Sequence, residues 1–274
     1  MKKILTVLLV ALLLTTTCFF TACGSNDKTI TVCASELPHA DILENCVADI
    51  LKEQGYTLQV KVIDWTTQND AVAQGDYDAN YFQHVPYLET YTGATKLFPA
   101  CKVHYEPLGI YKGGRYSTSA NNSIAICDDE SNAVRALELL FAKGYISSLP
   151  VENGKLTFTG STTTVGDVTI NLIAENLLVA GMPDYALVCL PCNTAMTGNV
   201  DQTLRIDQED DRELVAGKAN VLAARLDDYQ NDPVYKAKID ALVDALLSED
   251  VANYVAQTWG GAITCDSSSQ IDLR

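Results

Sequence analysis

Basic residues are scarce in this chain. Across 274 residues, 19 Lys and Arg stand against 35 Asp and Glu, a formal charge of −16. A protein of that sign repels a polyanion, so nucleic acid is excluded as a partner. Histidine is scarcer still, with three in all. His39, His84 and His104 are far apart, and none belongs to an HExxH or comparable ligand spacing, so no metal and no cofactor are expected. GxSxG, Walker A and GxGxxG patterns are absent, and no nucleophile accompanies His84 as a base. The chain is therefore not expected to be an enzyme. It also lacks low-complexity tracts and blocks of like charge, which removes the usual signs of a disordered tail.

What is present begins with a targeting segment. Lys2 and Lys3 precede an apolar stretch from Ile4 to Leu14, too short for a permanent membrane span of about 20 residues. Residues 1–22 read as a signal peptide. Phe20-Thr-Ala-Cys23 resembles the bacterial lipobox, whose cysteine receives lipid (palmitate among the acyl groups). The alternative is a plain secretory signal cleaved nearby. With lipid on Cys23, residues 23–28 become a polar tether, and the protein is anchored on the extracytoplasmic face of the cell membrane.

Seven cysteines follow Cys23, an odd number that cannot pair completely. Cys46 and Cys189 fall among apolar residues and read as small hydrophobes. Cys189-Leu-Pro-Cys192 is a lone CxxC, which keeps open a different class of function, an exported thiol-redox protein.

The remaining chain reads as α/β. Ile30 to Cys33 is a short strand, Pro38 can start a helix, and Ile42, Leu43, Cys46, Val47, Ile50 and Leu51 recur at helical spacing before Gly55. Leu58, Val60 and Val62 alternate in a second strand. Such a βαβ opening implies a parallel sheet covered by helices, with ligands at the strand C-termini. One strand is predicted over Lys102–Tyr111, a second sheet from Ser123, a buried strand over Tyr185–Leu190, and a return strand at Ala219–Arg225. A long helix after Pro233 should bury Ile239, Leu242, Val243, Leu246 and Leu247.

The stretch Gly75–Leu88, GDYDANYFQHVPYL, crowds Tyr81, Phe82 and His84 beside Pro86. On residue types alone it suits a pocket wall or ordinary core aromatics. Its spelling resembles the GDIDANxFQHxPYL signature of the NlpA/MetQ family of methionine-binding lipoproteins, substrate-binding proteins of ABC transporters. Cys33–Leu43 resembles the family's GASxxPHAEIL, His104–Tyr111 its HxEPMGLY, and Ala219–Arg225 its ANVIAVR. The segment from Ile124 is similar to IAIPNDPxNxGRAL and keeps Asn132 and Arg135. The resemblance runs from about Thr29 to Ile263. It departs most at Pro191–Ala195, where the family has NGNYA.

The resemblance implies a two-lobed, periplasmic-binding-protein-like (type II) fold with a mostly parallel sheet in each lobe. Lobe one takes residues 29–112 and 219–274, and lobe two takes 113–218. It also implies a ligand, methionine or a similar amino acid, delivered to an ABC permease and ATPase complex. Another amino acid or a short peptide is the alternative. A ligand carboxylate needs a fixed cation, for which Arg135 is the candidate. Asn193 and Asn220 would complete the polar end. Trp65, standing where the family usually has Tyr, would join Tyr81, Phe82 and His84 against the ligand side chain. Cys23→Ser is expected to move the protein out of the membrane fraction while leaving ligand binding intact. Cell fractionation checks this, and unchanged partitioning would refute the anchor.

Overall fold

Residues 28–117, 122–210, 217–259 and 262–274 are described in a computed structural model of the chain. The expected signal peptide and the acylation site at Cys23 lie outside them. Ile30 and Val32 of β1 (Thr29–Ala34) are fully buried. The backbone stays extended through Leu37 and becomes helical at Pro38, where the missing N–H costs nothing. Helical turns continue to Glu53, burying Ile42, Leu43, Val47 and Leu51. Gly55, at φ 81°, ends them in a conformation that favours glycine. Strand β2 (Thr57–Val62) then pairs parallel to β1. The helix Trp65–Gln74 follows, capped by an Asp64 carboxylate that accepts from Thr66 N–H at 2.9 Å. It leads to β3 (Ala79–His84), parallel to β1 on its other side.

The remaining strands in chain order are β4 (Leu97–His104), β5 (Leu108–Lys112), β6 (Ser123–Cys127) and the hairpin of β7 (Val151–Glu152) with β8 (Lys155–Leu156). Then come β9 (Thr162–Val165), β10 (Val168–Ile173), β11 (Leu187–Pro191), β12 (Arg205–Gln208), β13 (Asn220–Arg225) and β14 (Ile271–Asp272). Two six-stranded sheets result, ordered β14-β4-β13-β3-β1-β2 and β12-β5-β11-β6-β10-β9. Each has a parallel core of three strands, β2-β1-β3 and β11-β6-β10. Antiparallel strands flank these cores, so both sheets are mixed. The reason is topological: β4, β5, β12 and β13 carry the chain between lobes, and no crossover helix joins them within one sheet.

The single strand expected over Lys102–Tyr111 is in fact two. Strand β4 ends at His104 in the first sheet, and β5 begins at Leu108 in the second. The chain thus leaves the first sheet at Tyr105–Pro107, ahead of the expected boundary at residue 112. It returns between Gln208 and Asn220.

Each lobe has its own core. In the first, Ile239, Leu242, Val243 and Leu246 of the helix Pro233–Leu246 are buried with Ile30, Val32 and Tyr81, and Leu247 packs partly buried beside them. In the second, the helix Glu130–Ala142 buries Ala133, Leu137 and Leu140 against Ile124, Ile126 and Ile170.

Strand β3 carries an irregularity that matters for the site. Val221 of β13 pairs with Gln83, but Leu222 pairs with Tyr81, which leaves Phe82 as an extra residue. A bulge of this kind re-aims the side chains around it. Asn80 and Gln83 come onto one face and bond each other at 2.9 Å, and both bond Asn69 of the preceding helix, at 2.9 and 2.6 Å. All three amides are buried. This cluster pins the helix that begins with Trp65 onto β3. Asn80→Ala leaves buried partners unpaired and is expected to cost about 2–4 kcal/mol of stability. Urea unfolding measures it, and a loss within experimental error would show that the cluster is dispensable.

Candidate functional site

A cleft lies between the lobes. From the first lobe it is lined by Ser35, Trp65, Phe82, Gln83, His84, Tyr87 and Asn220, from the second by Asn132, Arg135, Glu175, Pro191 and Asn193, and from the crossover by Glu106. Six of the seven residues singled out from sequence are among them: Trp65, Phe82, His84, Arg135, Asn193 and Asn220. Tyr81 is the exception. It is fully buried in the first core, and its hydroxyl bonds Nδ1 of His104 behind the cleft wall. The bulge at Phe82 separates it from the ring wall.

Tyr87 is the centre of that wall. Its ring lies edge-on to Trp65, Phe82 and His84, with centroids 5.3, 5.8 and 6.5 Å away. Trp65 is placed by its position as the first residue of a helix, and Tyr87 by the short helix Val85–Leu88 that Pro86 helps to start. Tyr87 N–H donates to His84 Nδ1 at 3.1 Å, so the ring proton sits on Nε2, which meets Asn132 Oδ1 at 3.2 Å. That contact joins the two lobes across the cleft. Burial and the neighbouring Arg135 charge push the His84 pKa down to about 4, so the imidazole is neutral.

Arg135 is 6 % exposed. Its Nε donates to Glu209 Oε1 at 2.8 Å, while Nη2 reaches Glu209 Oε2 and, at 2.7 Å, the main-chain oxygen of Glu106. One edge of the guanidinium fork is therefore filled by the protein, through Nε and Nη2. Glu209 was not foreseen as its partner. It stands at the second crossover, and its other contacts are Lys218 Nζ at 3.3 Å and Leu108 N–H at 2.8 Å. Arg135 holds its carboxyl below the ordinary range despite burial.

Glu106 stands at the first crossover. Oε1 accepts from His104 Nε2 at 2.9 Å and lies 3.6 Å from His39 Nε2, and Oε2 accepts from Asn193 N–H at 2.9 Å. His39 Nε2 also meets Asn220 Oδ1 at 3.2 Å, which orients that amide from behind. Burial pushes His39 down to about 4 and His104 to about 3, and raises the Glu106 carboxyl. Distant in sequence, His39 and His104 converge with Glu106 so that their ligand atoms lie within 4.8 Å, a spacing able to hold a metal ion. Each is already engaged in the network just described.

Glu106 and Tyr87 were legible as members of matched motifs, although neither was singled out. Asn132 was noted only as a retained position. Glu175 had no signal at all. It opens the helix Glu175–Gly181 after β10, in a stretch without motif.

Cys192 opens a short helix after β11, preceded by Pro191, but Cys189 lies three residues back within the strand. Both thiols are free and buried. Burial raises Cys192 to about 11 and Cys189 further. A thiolate nucleophile needs the opposite shift, so the geometry gives the redox alternative no support.

Residues 30–265 match the sequence profile of the NlpA lipoprotein family. The chain is 31 % identical to the methionine-binding lipoprotein MetQ of Bacillus subtilis over 96 % of its own length and 98 % of that protein's. Lipoprotein Tp32 of Treponema pallidum superposes with a TM-score of 0.73 at 26 % identity, over 88 % of this chain and all of that one. A nutrient-binding protein of Burkholderia cenocepacia, bound to methionine, shares the fold with a TM-score of 0.74 at 24 % identity, over 86 % and 99 % of the two chains.

Glu209→Gln leaves the buried Arg135 charge without its partner, at an expected cost of about 3–5 kcal/mol of folding stability. Denaturant unfolding near neutral pH reads this directly. A loss below about 1 kcal/mol would assign the pair the weight of a surface salt bridge.

Proposed function

The chain belongs to the NlpA lipoprotein family, and on that premise we propose that it captures methionine between its lobes and delivers it to an ABC importer. The observation that carries this is the make-up of the cleft: four rings along one wall, with a guanidinium and four side-chain amides elsewhere in its lining, among them Asn193 and Asn220. An amino acid with a thioether side chain has the complementary parts. Its carboxylate would take Nη1 of Arg135 with the amides of Asn220 and Asn193. Its sulfur would lie on the ring edges of Trp65, Phe82, His84 and Tyr87, a contact that thioethers favour. Binding alone accounts for the cleft, and no catalytic step is assigned to it.

Capture would work by closure. The chain passes between the lobes after His104 and again after Gln208, so bending at these two connections would open and shut the cleft. The closed surface would be read by the permease and its ATPase. Lipid on Cys23 would keep the protein at the extracytoplasmic face of the membrane. The B. subtilis relative's name supports both the ligand and the anchor. The same machinery tuned to another amino acid or a short peptide remains the second reading, favoured by the departure at Pro191–Ala195.

A thermal-shift screen of the mature protein against all amino acids tests the ligand, because a molecule that binds only the folded state raises its melting point. Methionine is expected to give the largest shift. In calorimetry it should exceed alanine by about 2 kcal/mol or more, since each buried methylene contributes about 0.8 kcal/mol. Equal binding of methionine, alanine and glycine would remove the ring wall from the account.

A further inference from the structure

The charges in the cleft do not balance. Among its lining residues the only cation is Arg135, and Glu209 already pairs with it. The three histidines are neutral, as their lowered pKa values require. Two carboxyls remain on the lining, those of Glu106 and Glu175. Glu106 is satisfied by His104 and the Asn193 main chain. Among the described residues, Glu175 accepts only from the hydroxyl of Thr194.

Among the described residues, the charged groups that act most on Glu175 are acidic. Asp64 caps the helix behind Trp65, Asp129 caps the helix that carries Arg135, and Glu106 stands at the crossover; all three raise its pKa. Burial raises it most, so that the carboxyl titrates at about 7. Its field reaches the Tyr87 hydroxyl and the Cys127 thiol, both of which it pushes up. Cys127 donates to Asp129 at 2.8 Å and supplies no positive charge. Among the described residues, no cation bonds a carboxyl in this position.

We propose that Glu175, held by Thr194, receives a protonated amine of the bound ligand. This rests on the amino-acid-binding reading and adds the residue that selects for the amine. Thr194 lies in the segment that departs most from the family pattern, where a Tyr is usual. A hydroxyl on a short side chain anchors the carboxylate there. The amine can come from either of two sources, the α-ammonium common to all amino acids or a side-chain amine.

Two matched pairs separate the sources. Methionine against 4-(methylthio)butanoate removes only the α-ammonium, and lysine against norleucine removes only the side-chain amine. Dissociation constants are measured by calorimetry for the wild type, Glu175→Gln and Glu175→Ala. In at least one pair the wild type is expected to prefer the amine by about 10- to 100-fold, the range of a charge-assisted hydrogen bond. That preference should fall below about threefold in Glu175→Gln, which keeps the shape and the bond to Thr194.

A second readout is independent of fold stability. The amine binds the carboxylate form, so binding displaces a proton wherever Glu175 is protonated in the free protein. Affinity should therefore be about tenfold weaker at pH 6 than at pH 8, with protons released into the buffer. Both effects should vanish in Glu175→Gln. An amine preference unchanged by Glu175→Gln in both pairs, or a pH dependence that survives it, overturns the assignment. If lysine binds through Glu175 and methionine does not bind, the methionine reading fails while Glu175 keeps its role. If no amino acid binds the wild type, both fall.

Discussion

The cleft depends on a carboxylate kept out of water. Glu106 sits where the chain passes from the first sheet to the second, and its two oxygens are shared between lobes. His104 and His39 reach it from the first lobe, and Asn193 N–H from the second. A buried acid is costly unless its lone pairs are filled. Here the donors that fill them belong to residues that also shape the cleft, because His39 orients Asn220 and Tyr81 holds His104 from behind. The same arrangement explains why the histidines are neutral. Burial removes their protons' solvation, and His39 Nε2 and both ring nitrogens of His84 and His104 then serve as directional donors or acceptors.

Arg135 makes the corresponding link at the other crossover. It donates to the Glu106 main chain at one connection and grips Glu209 at the other. One guanidinium therefore touches both connections between the lobes. A change in its pairing is thus felt at both connections. The bulge at Phe82 works on the opposite wall, where an extra residue separates a tyrosine that belongs to the core from the phenylalanine that belongs to the cleft.

Much of this was legible in the sequence. The first βαβ unit, the helix after Pro233 and the return strand at Asn220 all follow from apolar spacing and the residues that punctuate it. Of the six cleft residues legible in the sequence, Phe82, His84, Arg135 and Asn220 lie in motifs that resemble a known family, whereas Trp65 and Asn193 stand where that family's pattern is altered. Tyr81 was misplaced because a two-residue alternation cannot reveal an inserted residue. The split of Lys102–Tyr111 into two strands was hidden for a related reason, since a continuous apolar run carries no mark of which sheet it joins. The Arg135–Glu209 pair and the meeting of His39, His104 and Glu106 join residues far apart in the chain, and local pattern does not encode such contacts. Glu175 was invisible because a glutamate at a helix start is common, and only the cleft around it gives it meaning.

The seven described cysteines are all unpaired, and six of them are buried. Burial raises their pKa values, Cys33, Cys101 and Cys265 each to about 12. Thiol–disulfide exchange proceeds through the thiolate, so these sulfurs are protected kinetically by the fold rather than by a reducing environment. The covalent connectivity of the folded chain is thus indifferent to the redox potential around it. Before folding the same thiols have no such shelter, so the order of events matters: packing must outrun oxidation.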